Sequence, residues 1–391
     1  MHKLKNPAVW TAFFLAMTLF LMTLWRFGAN QCLTVAIALV IFLPSLRRQL
    51  FVKAYLQQGA FIAIYVFLAW AFIRIWGSQA DTLGHVFDAM KAYIKLLLFL
   101  LIPIMITQKK MRYWVEQGLI IGVLINVLLS TLYFFKIFAL QLAPYISMNA
   151  TFEINPLQLI FVVAVALWIL AVRFFERRFA WHDILIFAIL AVYLWVINIE
   201  RSGYLLFLTL ALVLAWQYGS KKWFLAVIGI LPLLCIALYF AIPNIQARTD
   251  LGLQNIEAFA QVKNVTEIGV NNSLGLRLAF GEESIQEIKL HPFLGTGLGS
   301  FKTVYDQRYN LNTQMMKVQD PHNAYTYVAF ELGLPGLLLY LFCLYKLFPK
   351  CRRSQGIWWA FVVMGFVDSG LVLNAVALSF IVLLGMHENQ G

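Results

Sequence analysis

Charged residues are scarce in this 391-residue sequence. Asp, Glu, Lys and Arg together make up 12% of it, whereas 62% of the residues are hydrophobic. A soluble domain has about 25% charged residues, so this composition excludes an ordinary water-soluble enzyme. The mean hydropathy of +0.78 is that of a membrane protein.

The arrangement of the cysteines and the scarcity of acids within the apolar segments exclude two further kinds of site. The four cysteines show no C-x-x-C spacing, so neither a disulfide framework nor a cysteine metal site is indicated. Few acids interrupt the apolar segments: Glu116, Glu331 and, near the end of one segment, Asp368. An ion-coupled transporter usually needs buried carboxylates, so their scarcity argues against that class.

What the sequence has in excess is long apolar runs. About 20 residues cross the roughly 30 Å hydrocarbon core of a bilayer as a helix. The first run has no small-residue cleavage site after it, so we interpret it as a retained span rather than a signal peptide. We predict an all-α polytopic membrane protein with about twelve transmembrane helices, at 9–25, 31–45, 59–75, 92–107, 115–138, 156–174, 184–199, 203–218, 223–242, 323–347, 356–369 and 371–387.

The distribution of basic residues predicts the orientation. Of the 30 Lys and Arg residues, 17 lie at the termini and in even-numbered loops, and six lie in the short odd-numbered loops. Cytoplasmic loops carry the excess of Lys and Arg, so both termini are predicted to be cytoplasmic. The net charge of +12 is then a consequence of topology, and we do not expect nucleic-acid binding.

The sequence divides into three regions. Residues 1–242 contain predicted helices 1 to 9, residues 243–321 form a large polar loop, and residues 322–391 contain helices 10 to 12. The loop is predicted to face the non-cytoplasmic side as a small helical cap. Helical periodicity covers 250–262 and 274–290, and a glycine-rich turn follows.

Two arginines stand out on the predicted outer side. Arg201 lies in a sharp turn between two spans, and Arg277 lies in the second loop helix. Arg201 could simply reach the lipid headgroups, and Arg277 could pair with Glu282 or Glu283. Alternatively, both guanidinium groups bind phosphate, for which their planar, permanently charged geometry is suited.

His322 is the candidate base. It follows Asp320-Pro321, where Asp is predicted as the N-cap of a long apolar helix and Pro as its first residue. His322 would then lie in the first helical turn, where the helix dipole disfavours the protonated imidazole. A neutral His at the membrane boundary can act as a general base, or it can merely cap the helix.

These residues resemble motifs of the bacterial O-antigen ligases. His322-Asn323, followed after nine residues by Gly333-Leu334-Pro335-Gly336, is similar to their His-(Asn/Ser/Gln)-x9-Gly-x-x-Gly pattern. Arg201-Ser202-Gly203 resembles their Arg-Ser-Gly turn. The stretch from Arg277 through His291–Phe301 resembles a loop segment that they share with O-antigen polymerases.

The resemblance implies a GT-C-type, metal-independent, inverting glycosyltransferase in the bacterial inner membrane. It would transfer a glycan from undecaprenyl diphosphate to the lipid A–core oligosaccharide at the periplasmic face, with no cofactor. His322 would be the catalytic base, and Arg201 and Arg277 would bind the diphosphate. A polymerase with a second lipid-linked glycan as acceptor is the main alternative. A protein O-oligosaccharyltransferase and a lipid-linked-sugar flippase also remain open.

Overall fold

The computed structural model describes residues 7–46, 48, 58–137, 155–198, 200–241, 243–261, 273–309 and 320–386. No β-strand occurs within these ranges, which confirms the predicted all-α class. Parts of the predicted loop, residues 262–272 and 310–319, lie outside the described residues.

Sixteen α-helices are bounded within the described ranges. They are α1 (Pro7–Leu21), α2 (Arg26–Phe42), α3 (Gln58–Ile73), α4 (Leu83–Ile94), α5 (Leu98–Met105), α6 (Lys109–Phe134), α7 (Pro156–Phe175), α8 (Trp181–Val192), α9 (Arg201–Tyr218), α10 (Lys221–Ala241), α11 (Pro243–Gln261), α12 (Ser273–Leu290), α13 (Phe301–Tyr309), α14 (Ala324–Lys346), α15 (Arg352–Val367) and α16 (Asn374–Gly385).

Four of the described helices, α6, α7, α10 and α14, are long and apolar enough to cross a membrane. Shorter apolar helices include α1, α2, α3, α16 and the segment Trp181–Ile197. Helices therefore occur where the apolar runs predict them, and the total of twelve spans stays a prediction.

The predicted span 92–107 is not one continuous helix. A 3₁₀ turn, Lys95–Leu97, separates α4 from α5. The Lys95 ammonium donates to the Leu371 carbonyl oxygen at 3.0 Å. The apolar run predicts burial of this segment, but it does not show where the helical hydrogen bonding changes.

The centre of the bundle is α7, which is buried along almost its whole length. It packs against α6, α8, α9, α15 and α16. Its run of Val, Ile, Leu and Ala has no polar face, as expected for a helix surrounded by other helices. In contrast, α10 has no buried residue and lies at the periphery, against α9 and α11.

The long helix α14 is interrupted at Gly333. This residue has φ 72° and ψ 179°, a conformation that is essentially restricted to glycine. The interruption frees backbone groups that a helix would have paired internally. The segment Pro292–Gly299 supplies their partners: Leu334 N donates to Pro292 O at 2.8 Å, Thr296 N to Phe330 O at 2.9 Å and Gly297 N to Glu331 O at 3.0 Å.

The end of α3 holds this segment from the other side. Arg74 Nε donates to the Leu294 carbonyl oxygen at 2.6 Å, and Leu298 N donates to the Arg74 carbonyl oxygen at 3.0 Å. Arg74 is only 7% exposed. This arginine at the end of a predicted span therefore serves to hold the loop, not to anchor a headgroup.

We predict that Gly333→Ala strongly destabilises the protein. An alanine in this conformation costs about 1–3 kcal/mol, and its Cβ would lie 2.4 Å from the Phe293 carbonyl oxygen. The measurement is the melting temperature of the purified protein in detergent. Gly281→Ala is the control, because its Cβ would meet nothing within 4 Å. Equal melting temperatures for the two variants would contradict the interlocked arrangement.

Candidate functional site

His322 lies just before α14 rather than in its first turn. Asn323 is the N-cap, and its side-chain oxygen accepts from the backbone N–H groups of Tyr325 and Thr326. The prediction that Asp320 caps this helix is therefore wrong. His322 instead adopts a left-handed conformation with φ 53°, which is uncommon for a residue other than glycine. Its N–H donates to Asp320 Oδ1 at 2.9 Å, which stabilises the turn.

Two carboxylates face the imidazole of His322. Nδ1 lies 3.4 Å from Asp368 Oδ1, a long hydrogen bond, and 3.9 Å from Asp320 Oδ1. Asp368 lies at the C-terminal end of α15, and its side chain is 3% exposed. A carboxylate that accepts the Nδ1 proton leaves Nε2 as the free acceptor of the ring. This arrangement is suited to a base.

These carboxylates raise the pKa of the imidazole, which is the opposite of the effect expected from the helix dipole. Burial lowers the pKa of His322, but the hydrogen bond to Asp368 and the charges of Asp368 and Asp320 outweigh it, so that the pKa is raised above its usual value. The prediction that the helix dipole dominates is wrong, because two acids approach the ring from outside α14. Burial and the neighbouring Asp368 also raise the pKa of Asp320.

Helix α12 brings Arg277 into the neighbourhood of His322. Phe280, one turn further along α12, lies against the His322 ring with centroids 6.2 Å apart. The charge of Arg277 acts on the imidazole. The alternative ion pair of Arg277 with Glu282 or Glu283 is not formed, since Glu283 pairs with Arg308 at 3.2 Å. Among the described residues, Arg277 has no ion-pair partner within 4 Å.

Arg201 is positioned by the turn between α8 and α9. The Asn198 side chain bridges this turn: its amide donates to Glu200 O at 2.9 Å, and its oxygen accepts from Glu200 N at 3.0 Å. Arg201 is then the first residue of α9 and is half-buried. Its guanidinium passes close to Gly252 of α11, where a Cβ would lie 2.8 Å from Nη1.

A third guanidinium joins the two predicted ones. Burial raises the pKa of Glu200, while the charges of Arg277, Arg248 and Arg201 act in the opposite direction. The charges of three guanidinium groups thus act on one carboxyl, and none of the three forms an ion pair within 4 Å among the described residues. Arg248, on α11, was not predicted, because no motif marks it in the sequence.

Asp320, His322 and Asp368 could also hold a metal ion, since their ligand atoms lie within 4.8 Å of one another. The surrounding contacts compete with that use. Asp320 Oδ1 accepts from Ser369 Oγ at 2.7 Å, and Asp368 Oδ1 accepts from Ser369 N at 2.7 Å. The positive charge of Arg277 acts on the same group of residues, and this disfavours a cation.

A comparison with known families covers the part of the chain that holds most of these residues. Residues 186–341 match the model of the O-antigen ligase family, Wzy_C. This match supports membership of the O-antigen ligase superfamily. A search of curated proteins finds no significant match.

The match to the O-antigen ligase family begins within α8 and ends within α14, so that Arg201, Arg248, Arg277 and His322 all lie inside it. Asp368 lies outside it, on α15. Together with the apolar helices, membership of this superfamily indicates a multi-pass membrane protein. The family match also implies that the substrates belong to the general class of lipid-linked glycans.

We predict that His322 makes the stability of the protein depend on pH. A raised pKa means that the protonated imidazole stabilises the folded state, fully so below about pH 6.5. This contribution is lost as the pH rises through the folded-state pKa. The melting temperature of the wild type, relative to His322→Gln, should therefore be higher at pH 5.5 than at pH 8.5.

Asp368→Asn provides the control. In that background, the change in melting temperature caused by His322→Gln should depend much less on pH, since the main partner of the imidazole is gone. A wild-type advantage that grows with rising pH would show that the folded protein disfavours the charged imidazole, contrary to the geometry.

Proposed function

We propose that this protein is an O-antigen ligase that transfers a glycan from undecaprenyl diphosphate to the lipid A–core oligosaccharide. The observation that carries the proposal is one cluster containing a histidine–carboxylate pair and three guanidinium groups that lack ion pairs among the described residues. A lipid-diphosphate donor needs an anion site for its leaving group and a base for the acceptor hydroxyl. The cluster offers both.

The guanidinium groups are the proposed donor subsite. Arg201 and Arg277 bind the diphosphate, and Arg248 adds a third positive charge. Arg binds phosphate through two parallel hydrogen bonds, and fixed positive groups stabilise the charge that develops on the leaving diphosphate. Glu200 balances part of this charge when the donor is absent.

His322 is the proposed general base. Its Nε2 accepts the proton of the acceptor sugar hydroxyl, and Asp368 stabilises the imidazolium through Nδ1. The hydroxyl oxygen attacks the anomeric carbon of the donor sugar while the bond to the diphosphate oxygen breaks. Undecaprenyl diphosphate leaves with the bonding electrons, and a single direct attack inverts the anomeric carbon.

We propose that no metal ion takes part in this transfer. The arginines already supply the positive charge that a divalent cation would bring to the diphosphate. The oxygens of Asp320 and Asp368 are engaged by Ser369 and by the backbone. Transfer should then continue in the presence of excess EDTA.

The orientation is also part of the proposal. The cluster lies at the N-terminal ends of α9 and α14 and at the C-terminal end of α15. Lys109, Arg173, Arg178 and Arg352 lie near the opposite helix ends, where the distribution of basic residues predicts the cytoplasm. The cluster would then face the periplasm from the inner membrane, with both termini in the cytoplasm.

Deletion of the gene separates a ligase from a polymerase. We predict that the deletion strain makes lipopolysaccharide with the core only, while lipid-linked polymer accumulates, as seen by gel electrophoresis and lipid extraction. Plasmid-borne wild-type protein should restore long chains. A core that carries one repeat unit would instead identify a polymerase.

A purified transfer assay tests the residue roles. We predict that His322→Asn lowers the single-turnover rate by about 10²–10⁴-fold, because general-base catalysis typically contributes this much. Arg201→Lys and Arg277→Lys should each retain only part of the activity, because an ammonium group cannot form the planar two-point contact. Lys289→Gln, an exposed charge on α12, is the control. Wild-type transfer by His322→Asn would rule out the base.

A further inference from the structure

A second charged site lies at the opposite end of the same helices. Helix α15 carries Arg352 at its start and is followed by Asp368, so its 16 residues separate the two sites by about 24 Å. A cavity of about 990 Å³ opens at the Arg352 end, between the ends of α6, α7, α9 and α15. This volume is at the upper end of the range for small-molecule sites.

The cavity is strongly basic. Two carboxylates, Glu116 and Glu176, line it together with six cationic side chains, which are Lys109, Arg112, Arg173, Arg178, Arg352 and Arg353. An excess of four positive charges around one concave space attracts an anion, and the low-dielectric walls strengthen that attraction.

The carboxylates are already engaged by other arginines. Glu116 binds Arg173 at 2.7 Å and lies 3.8 Å from Arg353. The two carboxylate oxygens of Glu176 share the Nε–H of Arg353, each at 3.0 Å, and Glu176 lies 3.7 Å from Arg178. Neither acid forms an ion pair with Arg112 within 4 Å.

Arg112 is the buried cation of the cavity that lacks an ion pair among the described residues, whereas Lys109 and Arg352 are exposed. Its side chain lines the cavity, the residue is 9% exposed, and its Nε is buried with no hydrogen-bond partner. Among the described residues, no ion pair reaches its guanidinium. A buried charge without a counter-ion is costly, so the site is incomplete without an anion from outside the chain.

We propose that this cavity binds a phosphate group, with Arg112 as the principal ligand and Lys109 and Arg352 as supporting charges. The phosphate is carried either by an anionic phospholipid headgroup or by a soluble phosphate compound. Basic pockets between transmembrane helices on the cytoplasmic side bind lipid headgroups in this way. The inference does not rest on the proposed transferase function, because no residue is shared between the two sites.

Binding to the purified full chain tests the proposal. Phosphatidylglycerol, followed by native mass spectrometry in neutral detergent, represents the lipid source. Glycerol 3-phosphate, followed by thermal shift, represents the soluble source. We expect saturable binding, and Arg112→Gln should weaken it at least tenfold, because its hydrogen bonds join two charged groups. Lys110→Gln should bind within twofold of the wild type, because Lys110 does not line the cavity.

The two probes identify the source of the phosphate. Displacement of the lipid by glycerol 3-phosphate would show that the phosphate group alone suffices, whereas binding of the lipid only would identify the headgroup as the ligand. Both results support the site. If Arg112→Gln fails to fold, Arg352→Gln replaces it, since Arg352 is exposed. Absence of binding by both probes, or equal binding by wild type and cavity variants, would overturn the proposal.

Discussion

The interruption of α14 at Gly333 and the docking of Pro292–Gly299 against it are the constraint on which the rest of the structure depends. Backbone polar groups that leave a helix inside an apolar bundle must find other partners. Here the turn supplies them. Because this turn directly follows α12, the same hydrogen bonds that repair α14 also hold α12 beside it. Arg277 and Phe280 are thereby brought to the end of α14 that follows His322.

The cluster at that end combines two opposite electrostatic environments. Two carboxylates approach the imidazole and favour its protonated form, whereas the charges of three guanidinium groups act on the single carboxyl of Glu200. A proton acceptor therefore adjoins an anion-attracting surface. The left-handed conformation of His322 fits this arrangement, since it directs the ring toward Asp368 on a neighbouring helix rather than along α14.

Both ends of the bundle concentrate arginine, but in different ways. At the Arg353 end, carboxylates pair with three guanidinium groups, those of Arg173, Arg178 and Arg353. At the His322 end, the guanidinium groups lack such pairs among the described residues. The arginines of both sites lie at or near helix termini, which agrees with the high cost of charges in the hydrocarbon region. The helices separate two anion-attracting regions.

The amino-acid sequence by itself determined the all-α class, the positions of the apolar helices and the three candidate residues, because these depend on run length, periodicity and local motifs. It also indicated the end of α12, since the helical periodicity stops at residue 290. The tertiary structure alone decided the interruption of the 92–107 segment, the protonation preference of His322 and the effect of Arg248 on Glu200. The last two depend on residues far away in the chain: Asp368 lies 46 positions from His322, and Arg248 acts on Glu200 from another helix, α11. Local sequence cannot specify such distant approaches, because the through-space charge and the available hydrogen-bond partners are set by how the helices pack.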